Sequence, residues 1–300
     1  MSKNKYLQNT VKYLTENHKV VFPFIPIHER RLPSSMRLIG IIESIRAIIF
    51  PGYFGSPLAK EDSLVFHVGI GVEKIFNDLS HQIFDVLFLQ SDKTDSAQIR
   101  TEARNLTRDF LSRLQRIKQL MSSDIKAIFD SDPAAKNLSE VIFCYPAVKA
   151  IFNYRIAHEL YLMNIPLIPR IITELAHVET GIDIHPGAEI GEYFSIDHGT
   201  GVVIGETTII GNHVTLYQGV TLGAKNFTLD ELGHPKNTLR HPILEDNVIV
   251  YSNASILGRI TIGHGTIVGG NVWLDRSVPP YSRILQTKAV KQDLTDGAGI

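Results

Sequence analysis

Residues 182–222 read IDIHPGAEIGEYFSIDHGTGVVIGETTIIGNHVTLYQGVTL, and an aliphatic side chain returns at every sixth position of this stretch. A six-residue period fits neither an amphipathic helix nor a simply alternating strand. It is typical of a parallel β-helix, in which each hexapeptide lays one short strand on one face of a prism. The period resumes after Arg240. The aliphatic positions are Ile184, Ile190, Ile196 and Val202, then Ile204, Ile210, Leu216 and Leu222, and finally Val250, Ile256, Ile262, Val268 and Leu274.

The repeat is interrupted once, between Ala224 and His241, by polar residues together with Gly233 and Pro235. An insertion of this length in a solenoid is normally extruded as a loop from one edge, often near the binding face. The sequence therefore predicts a β-helix over residues 182–278 that carries one extruded loop, followed by a patternless C-terminal tail over residues 279–300.

The first half of the chain has the periodicity of helices. Apolar side chains recur every three to four positions from Ile75 to Leu87 and again from Ile99 to Ile117. Pro146 can begin a helix that runs to about Met163, and a further helix is expected from about Pro169 to Gly181. The predicted fold class is thus α+β, with an all-helical domain over residues 1–181 that precedes the β-helix.

The composition and charge of the chain argue against a nucleic-acid-binding, a disulfide-linked or a membrane-spanning protein. A formal charge of −1 gives no reason to expect nucleic acid or an anionic membrane as a partner. Cys144 is the sole cysteine, so an internal disulfide cannot form and a reducing compartment is favoured. Residues 39–50 are apolar but too short and too charged to span a bilayer, and the first residues lack the apolar core of a signal peptide. The sequence indicates a cytoplasmic protein.

Several motifs in one order closely resemble bacterial-type serine O-acetyltransferases. They are DSDPA at 130–134, YRIAH at 154–158, GIDIHPGAEIG at 181–191, IDHGTG at 196–201, VIGET at 203–207, GVTLG at 219–223 and RHP at 240–242. The resemblance covers residues 130–280. It implies a helical domain followed by a left-handed parallel β-helix, and the transfer of acetyl from acetyl-CoA to the hydroxyl of L-serine, the first committed step of cysteine synthesis.

The resemblance also implies catalytic residues. By match, His198 would take the proton of the serine hydroxyl, which is a poor nucleophile at neutral pH. Asp183 would pair with the other ring nitrogen of His198 and stabilise the imidazolium that forms. Because the two residues are near one coil apart, we expect adjacent coils to bring them together.

Binding residues follow from the same match. Asp132 and Asp197 would hold the substrate ammonium, and Arg240 with His241 would face its carboxylate and the reacting centre. Contacts to CoA are expected in the groove between neighbouring prisms of a trimer, largely through the backbone. The nearest matches for those contacts are Gly223, Ala224, Asn253 and Gly270. Acetyl-CoA would be a co-substrate, with no tightly bound cofactor and no metal.

The family also implies partners. Its members form homotrimers or dimers of trimers. They often end in an isoleucine that enters the active site of O-acetylserine sulfhydrylase, and this chain ends in Gly299-Ile300. A free carboxylate beside an apolar side chain suits such a site, although a tail without a partner is the simpler alternative.

Other functions remain open from the residues alone. A hexapeptide prism serves many acceptors, so the acceptor could be a sugar or phosphoserine. A non-catalytic scaffold for a sulfhydrylase is a second alternative. A zinc site of a β-helix carbonic anhydrase would need three histidines, for which His185, His213 and His264 are the candidates. Structural or solvent-facing roles suit these three better, because no matching local pattern surrounds them.

Overall fold

The computed structural model describes residues 2–15, 32–55, 62–90, 96–226, 229–234, 236 and 238–287, with side chains from residues 5 and 63 in the first and third of these ranges. The chain forms two compact units. The first, residues 1–32, contains helix α1, and the second, residues 33–300, contains every other described element. Within the described ranges, no helix combines the length and the apolarity needed to cross a membrane.

Helices precede strands along the chain. The helices are α1 (Ser2–Thr15), α2 (Ser35–Ile49), α3 (Asp62–Gln90), α4 (Ser96–Ser131), α5 (Leu138–Cys144), α6 (Pro146–Leu162) and α7 (Ile168–Thr180). The strands are β1 (Asp183–Ile184), β2 (Glu189–Ile190), β3 (Ser195–Asp197), β4 (Val203–Ile204), β5 (Ile209–Ile210), β6 (Thr215–Tyr217), β7 (Thr221–Gly223), β8 (Ile243–Leu244), β9 (Ile249–Val250), β10 (Ser255–Leu257), β11 (Thr261–Ile262), β12 (Ile267–Val268), β13 (Trp273–Leu274) and β14 (Arg283–Ile284).

The strands build a three-sided parallel β-helix. Its first face has the order β1-β4-β7-β10-β13, its second face β2-β5-β8-β11, and its third face β3-β6-β9-β12-β14. Every aliphatic position that the six-residue period singled out is buried. The predicted fold, a helical region followed by a parallel β-helix with an extruded loop, is confirmed. The predicted end of the β-helix at residue 278 is too early, because β14 (Arg283–Ile284) pairs with β12 and extends the third face into the segment expected to be tail.

Two kinds of coil occur in the β-helix. Val203 pairs with Thr221, 18 positions later, which corresponds to three hexapeptides. Asp183 pairs with Val203, 20 positions later, so the first coil is two residues longer. The predicted loop leaves the prism after Gly223 and returns at Ile243, and Pro235 within it lies outside the described residues.

One hydrophobic core runs from α2 through α7 and on through the interior of the prism. The buried Arg155 guanidinium connects the two parts. It binds the Asp124 carboxylate of α4 and donates to the carbonyl oxygens of Ile190 and Gly191, each at 2.6 Å. Asp124 also accepts from the backbone N–H of Phe194. Because every buried polar group of this set is paired, α4 and α6 are held against the first coil.

The predicted helix ends agree with the structure. Helix α6 begins at Pro146, and α7 ends at Thr180, where Gly181 adopts a left-handed conformation with φ 70°. Glycine suits this cap because it has no side chain to strain there. The division of the chain into separate domains at residue 181 stays a prediction.

Candidate active site

His198 lies where the chain passes from the third face to the first. We call residues 198–202, between β3 and β4, the His198 corner. The two extra residues of the first coil lie here, because β3 continues the first aliphatic series and β4 begins the second. His198 has a φ of 57° and an exposed side chain. The same conformation recurs at other turns of the prism, among them Tyr193, His213 and Asn253, so it is a property of these turns.

Asp132 follows the last residue of α4 and lies close enough to His198 for the two charges to interact. One carboxylate oxygen accepts a hydrogen bond from the hydroxyl of Tyr145, and the other accepts from the backbone N–H of Ala134 at 2.8 Å. The hydrogen bond from Tyr145 holds the pKa of Asp132 below its usual value. The same bond raises the pKa of Tyr145 to about 12, with a smaller contribution from Asp197. Asp132 is therefore an oriented anion.

Tyr145 is a site residue that the sequence analysis missed. It is the residue directly before Pro146, at the start of α6, and its hydroxyl crosses to the end of α4. The negative charge of Asp197 also acts on Tyr145. The structure thus brings Asp132, Tyr145 and Asp197 to the His198 corner, and from here on that name includes them.

Asp183 lies on β1, at the start of the first face, and its neighbours come from α7. Its carboxylate is 3.8 Å from the Arg170 guanidinium. The first coil spans 20 positions and stacks Val203 on Asp183, so His198 lies five positions short of a full coil. The His198 corner returns to the start of the first face, where the backbone N–H of Gly201 donates to the Gly181 carbonyl oxygen at 2.8 Å. The contact between Asp183 and His198 stays a prediction. The described residues show no hydrogen bond between Asp183 and His198.

A second group lies where the first face meets the second. We call residues 205–208 together with residues 240–242 the His241 corner. The Nδ1 atom of His241 accepts a hydrogen bond from the backbone N–H of Thr207 at 3.1 Å and lies 2.9 Å from the Thr207 hydroxyl. The proton of the neutral ring is therefore on Nε2. Burial, with the positive charge of Arg240, lowers the pKa of His241 to about 4, so the ring is neutral at pH 7.

Two further contacts fix this imidazole. The Arg259 guanidinium donates to the carbonyl oxygens of Thr207 at 2.6 Å and of His241 at 3.0 Å. The ring also lies directly on Gly205, where an added Cβ would be 2.1 Å from the His241 Cδ2 atom. Glycine is required at position 205, because no side chain fits under the ring.

Arg240 lies beside His241 and is engaged by a carboxylate. Its guanidinium donates to Glu206 at 2.6 Å, and the other oxygen of Glu206 is 3.4 Å from the Tyr161 hydroxyl. Burial alone would raise the pKa of Glu206, but the hydrogen bond from Arg240 and the nearby His185 lower it below the usual value. Glu206 is a second residue that the sequence analysis missed, although it is part of the matched VIGET segment.

The four residues predicted for CoA fall on the two sides of the first face. Gly223 ends β7 and Ala224 follows it, on the side of the His241 corner. Asn253 and Gly270 precede β10 and β13, on the side of the His198 corner. Within one chain they form a band across the first face rather than one cluster.

The histidines considered for zinc are separated. His185 lies between β1 and β2, whereas His213 and His264 lie where the second face meets the third. The described residues do offer one group with ligand atoms within 4.8 Å of one another, made up of Glu174, His177 and Asp183. Arg170 already supplies a positive charge to that group, since it forms an ion pair with Glu174 and faces Asp183.

The known proteins that this chain resembles in sequence and in structure are serine acetyltransferases. A scan against models of protein families found no match. A curated protein of Synechococcus elongatus, named "serine acetyltransferase, plasmid", is 46% identical over 275 residues, which cover 90% of this chain and 86% of that protein. The crystal structure of Entamoeba histolytica serine acetyltransferase 1 in complex with L-cysteine superposes with a TM-score of 0.72 and 32% identity, covering 95% of this chain and 100% of that one.

A further solved structure, a serine acetyltransferase in complex with CoA, has a TM-score of 0.53 and 25% identity, over 82% of this chain and 95% of its own. The motifs that resemble the family include the residues that form both corners of the prism. The relative from Synechococcus matches nearly the whole chain at high identity. The chain belongs to the serine acetyltransferase family and is a serine O-acetyltransferase.

Proposed function

We propose that the chain transfers acetyl from acetyl-CoA to L-serine at a site shared by two copies of a homotrimer. One copy would supply the His198 corner and its neighbour the His241 corner. The observation that carries this proposal is the separation of the two corners within one chain. They lie on opposite sides of the first face, whose strands are two or three residues long, or about 7–10 Å. In a closed ring of three prisms, unlike corners of neighbouring copies meet.

The His198 corner would bind the ammonium end of serine. Asp132 and Asp197 supply two carboxylates there, and Tyr145 orients the first of them. An ammonium between these two carboxylates makes charge-assisted hydrogen bonds, which place the serine hydroxyl with little freedom to rotate. This arrangement supports an amino acid as acceptor over a sugar.

The His241 corner would bind the carboxylate end. Arg240 has a planar guanidinium that can grip a carboxylate with two hydrogen bonds. Glu206 holds this guanidinium in place before substrate arrives. Because the opposite charges stand at opposite ends, the site would select a zwitterion of the length of serine.

The chemical step needs one base and one stabilised oxyanion. His198 would accept the proton of the serine hydroxyl as the oxygen attacks the thioester carbonyl, and Asp183 would support the imidazolium across the site. Because His241 is neutral with its proton on Nε2, this N–H would donate a hydrogen bond to the thioester carbonyl oxygen as that oxygen becomes negatively charged. Collapse of the tetrahedral intermediate breaks the carbon–sulfur bond, and His198 returns the proton to the CoA thiolate. Acetyl passes directly to serine without an acyl-enzyme.

Acetyl-CoA would lie along the first face between two prisms, along the band marked by Gly223, Ala224, Asn253 and Gly270. The extruded loop begins at one end of this band. We place the reaction in the cytoplasm and in cysteine synthesis. A sulfhydrylase that binds Ile300 is the expected partner, and Ile300 lies outside the described residues.

Mixed trimers test the shared site. His198→Ala and Arg240→Ala are each expected to be inactive alone. If the corners come from different copies, refolding an equal mixture restores about one quarter of the sites, because one chain keeps each corner intact. His198→Ala mixed with Asp132→Ala is the matched control. Both residues belong to one corner, so no activity returns. A mixture of the first pair that stays inactive would refute the shared site.

An acceptor panel tests the substrate. CoA release from acetyl-CoA is measured with L-serine, phosphoserine and a sugar, and a pull-down with O-acetylserine sulfhydrylase is run beside it. Fast release with L-serine alone is expected. Release with another acceptor would change the substrate assigned, and binding to the sulfhydrylase without any CoA release would indicate a scaffold.

A further inference from the structure

A cavity outside both corners lies in the helical part of the protein. It has a volume of about 400 Å³ and is bounded by the ends of α2, α5 and α7 and the start of α6. Cavities of this size accommodate small organic ligands. No residue of this cavity takes part in the transfer reaction as derived above, except that the Tyr145 ring forms part of its wall.

The apolar lining of the cavity is aromatic. It includes Phe50, Phe54, Phe143 and Phe152. The rings of Phe50 and Phe152 have centroids 5.8 Å apart, and those of Phe54 and Phe143 have centroids 5.4 Å apart. Paired rings in these tilted and edge-to-face arrangements suit a further flat aromatic group.

The charged side chains of the lining are Arg46, Lys149 and Glu179. Arg46 forms an ion pair with Glu43, and Lys149 forms an ion pair with Glu179. The side chains of Arg46 and Lys149 are 22% and 28% exposed, whereas that of Glu179 is 58% exposed, so the cations lie deeper. The Nε atom of Arg46 is buried without a hydrogen-bond partner among the residues described. Because an unpaired buried donor is unfavourable, an anion in this aromatic setting would be well accommodated.

Tyr145 joins this cavity to the His198 corner. Its ring lines the cavity, while its hydroxyl donates to the Asp132 carboxylate. Its neighbour Cys144, the end of α5, lines the same cavity. A ligand in the cavity would therefore contact the same residue whose hydroxyl orients Asp132.

We propose that this cavity is a regulatory site for a small aromatic carboxylate, and that its occupancy weakens serine binding through Tyr145. The ligand carboxylate accepts from the unpartnered Nε of Arg46 and replaces the exposed Glu179 carboxylate at Lys149, and the ring lies among the four phenylalanines. Binding depends only on the cavity. The effect on serine also rests on the role of Asp132 in the proposed function.

Calorimetric titration of the full-length enzyme with benzoate tests the binding. We expect one benzoate per chain, bound at least about tenfold more tightly than benzyl alcohol or acetate, which lack the charge and the ring respectively. Lys149→Met should weaken benzoate about tenfold, and Lys118→Met, in a neighbouring cleft, is the matched control. Equal binding of benzoate and benzyl alcohol, which needs no variant, overturns the proposal, as does unaltered binding by a folded Lys149→Met enzyme.

Steady-state kinetics test the coupling. Benzoate should raise the KM for serine severalfold in the wild type, with no effect in Lys149→Met. In Tyr145→Phe the benzoate should still bind while its effect on the KM disappears. Calorimetry with serine at saturating concentration should still detect the binding of benzoate. If serine displaced benzoate completely, benzoate would bind in the serine site, and the proposal would be overturned. An unchanged KM with benzoate bound overturns the coupling, and this failure is distinct from failure of the serine acetyltransferase assay itself.

Discussion

The two histidines of the proposed reaction lie in contrasting surroundings. His241 is 7% exposed, and its Nδ1 atom, its ring face and its carbonyl oxygen all have defined contacts. His198 is exposed, has a left-handed backbone conformation, and makes no hydrogen bond through its ring within the described part of the chain. The His241 corner has all its contacts within a single chain, and we call it the closed corner. The His198 corner leaves its imidazole exposed, and we call it the open corner.

The difference fits the two chemical roles. A hydrogen-bond donor to an oxyanion acts best when it is fixed in one tautomer and stays neutral. A general base must gain and lose a proton in each turnover, so it must meet its substrate and its carboxylate partner without a permanent bond to either. Substitutions at the open corner should therefore remove the general base. Substitutions at the closed corner should displace the hydrogen-bond donor to the oxyanion.

The largest effect is expected at the open corner. His198→Ala should lower kcat by about 10²–10⁴-fold, because the serine hydroxyl loses its base. CoA release at saturating serine and acetyl-CoA measures this effect. His213→Ala is the matched control, since His213 is also exposed and has a φ of 55° at another corner. Turnover close to normal in His198→Ala would exclude it as the base.

An intermediate effect is expected at the closed corner. Gly205→Ala places a Cβ where the His241 ring lies, so the ring must move. A displacement of about 1 Å in a positioned group reduces kcat/KM by about 10²-fold. Gly69→Ala is the control, because nothing lies within 4 Å of its added Cβ. If Gly205→Ala kept full activity, the position of His241 would not matter for the reaction.

A smaller effect is expected from Tyr145. Tyr145→Phe keeps the ring but removes the hydroxyl that orients Asp132. Since Asp132 is solvent-exposed, we expect only a roughly threefold to tenfold rise in the KM for serine, with the KM for acetyl-CoA unchanged. Tyr53→Phe in the helical part is the control. Equal changes in both KM values would indicate a general disturbance instead.

The sequence predicted the β-helix well because its period is a local property of the chain. Each aliphatic residue of the three series is buried, and its position in the repeat was enough to predict this. The same series contain the signal for the open corner. The first series ends at Val202 and the second begins at Ile204, and that break of phase marks the two additional residues beside His198.

Contacts between distant segments could not be predicted in this way. Tyr145 and Asp132 meet because two helices end near each other, and Glu206 and Arg240 meet across 34 positions that include the loop. Such pairs depend on tertiary packing, which produces no periodic pattern in the sequence. The expected contact between Asp183 and His198 stays a prediction, because their spacing of 15 positions is shorter than the 20-position coil.

The smallest effect concerns the pH dependence of stability and tests the burial of His241. Burial lowers the pKa of His241 to about 4 and lowers those of His158 and His185, while an unfolded histidine titrates near 6.5. Between these values the unfolded chain binds more protons than the folded chain. The free energy of unfolding should therefore fall as the pH is lowered from about 6.5 towards 4. Urea unfolding at about pH 7.5 and pH 5 measures this loss. His241→Gln should lose less stability over that interval than the wild type, whereas His213→Gln at the surface should follow the wild type. An equal loss in all three proteins would show that the closed corner does not hold its histidine neutral.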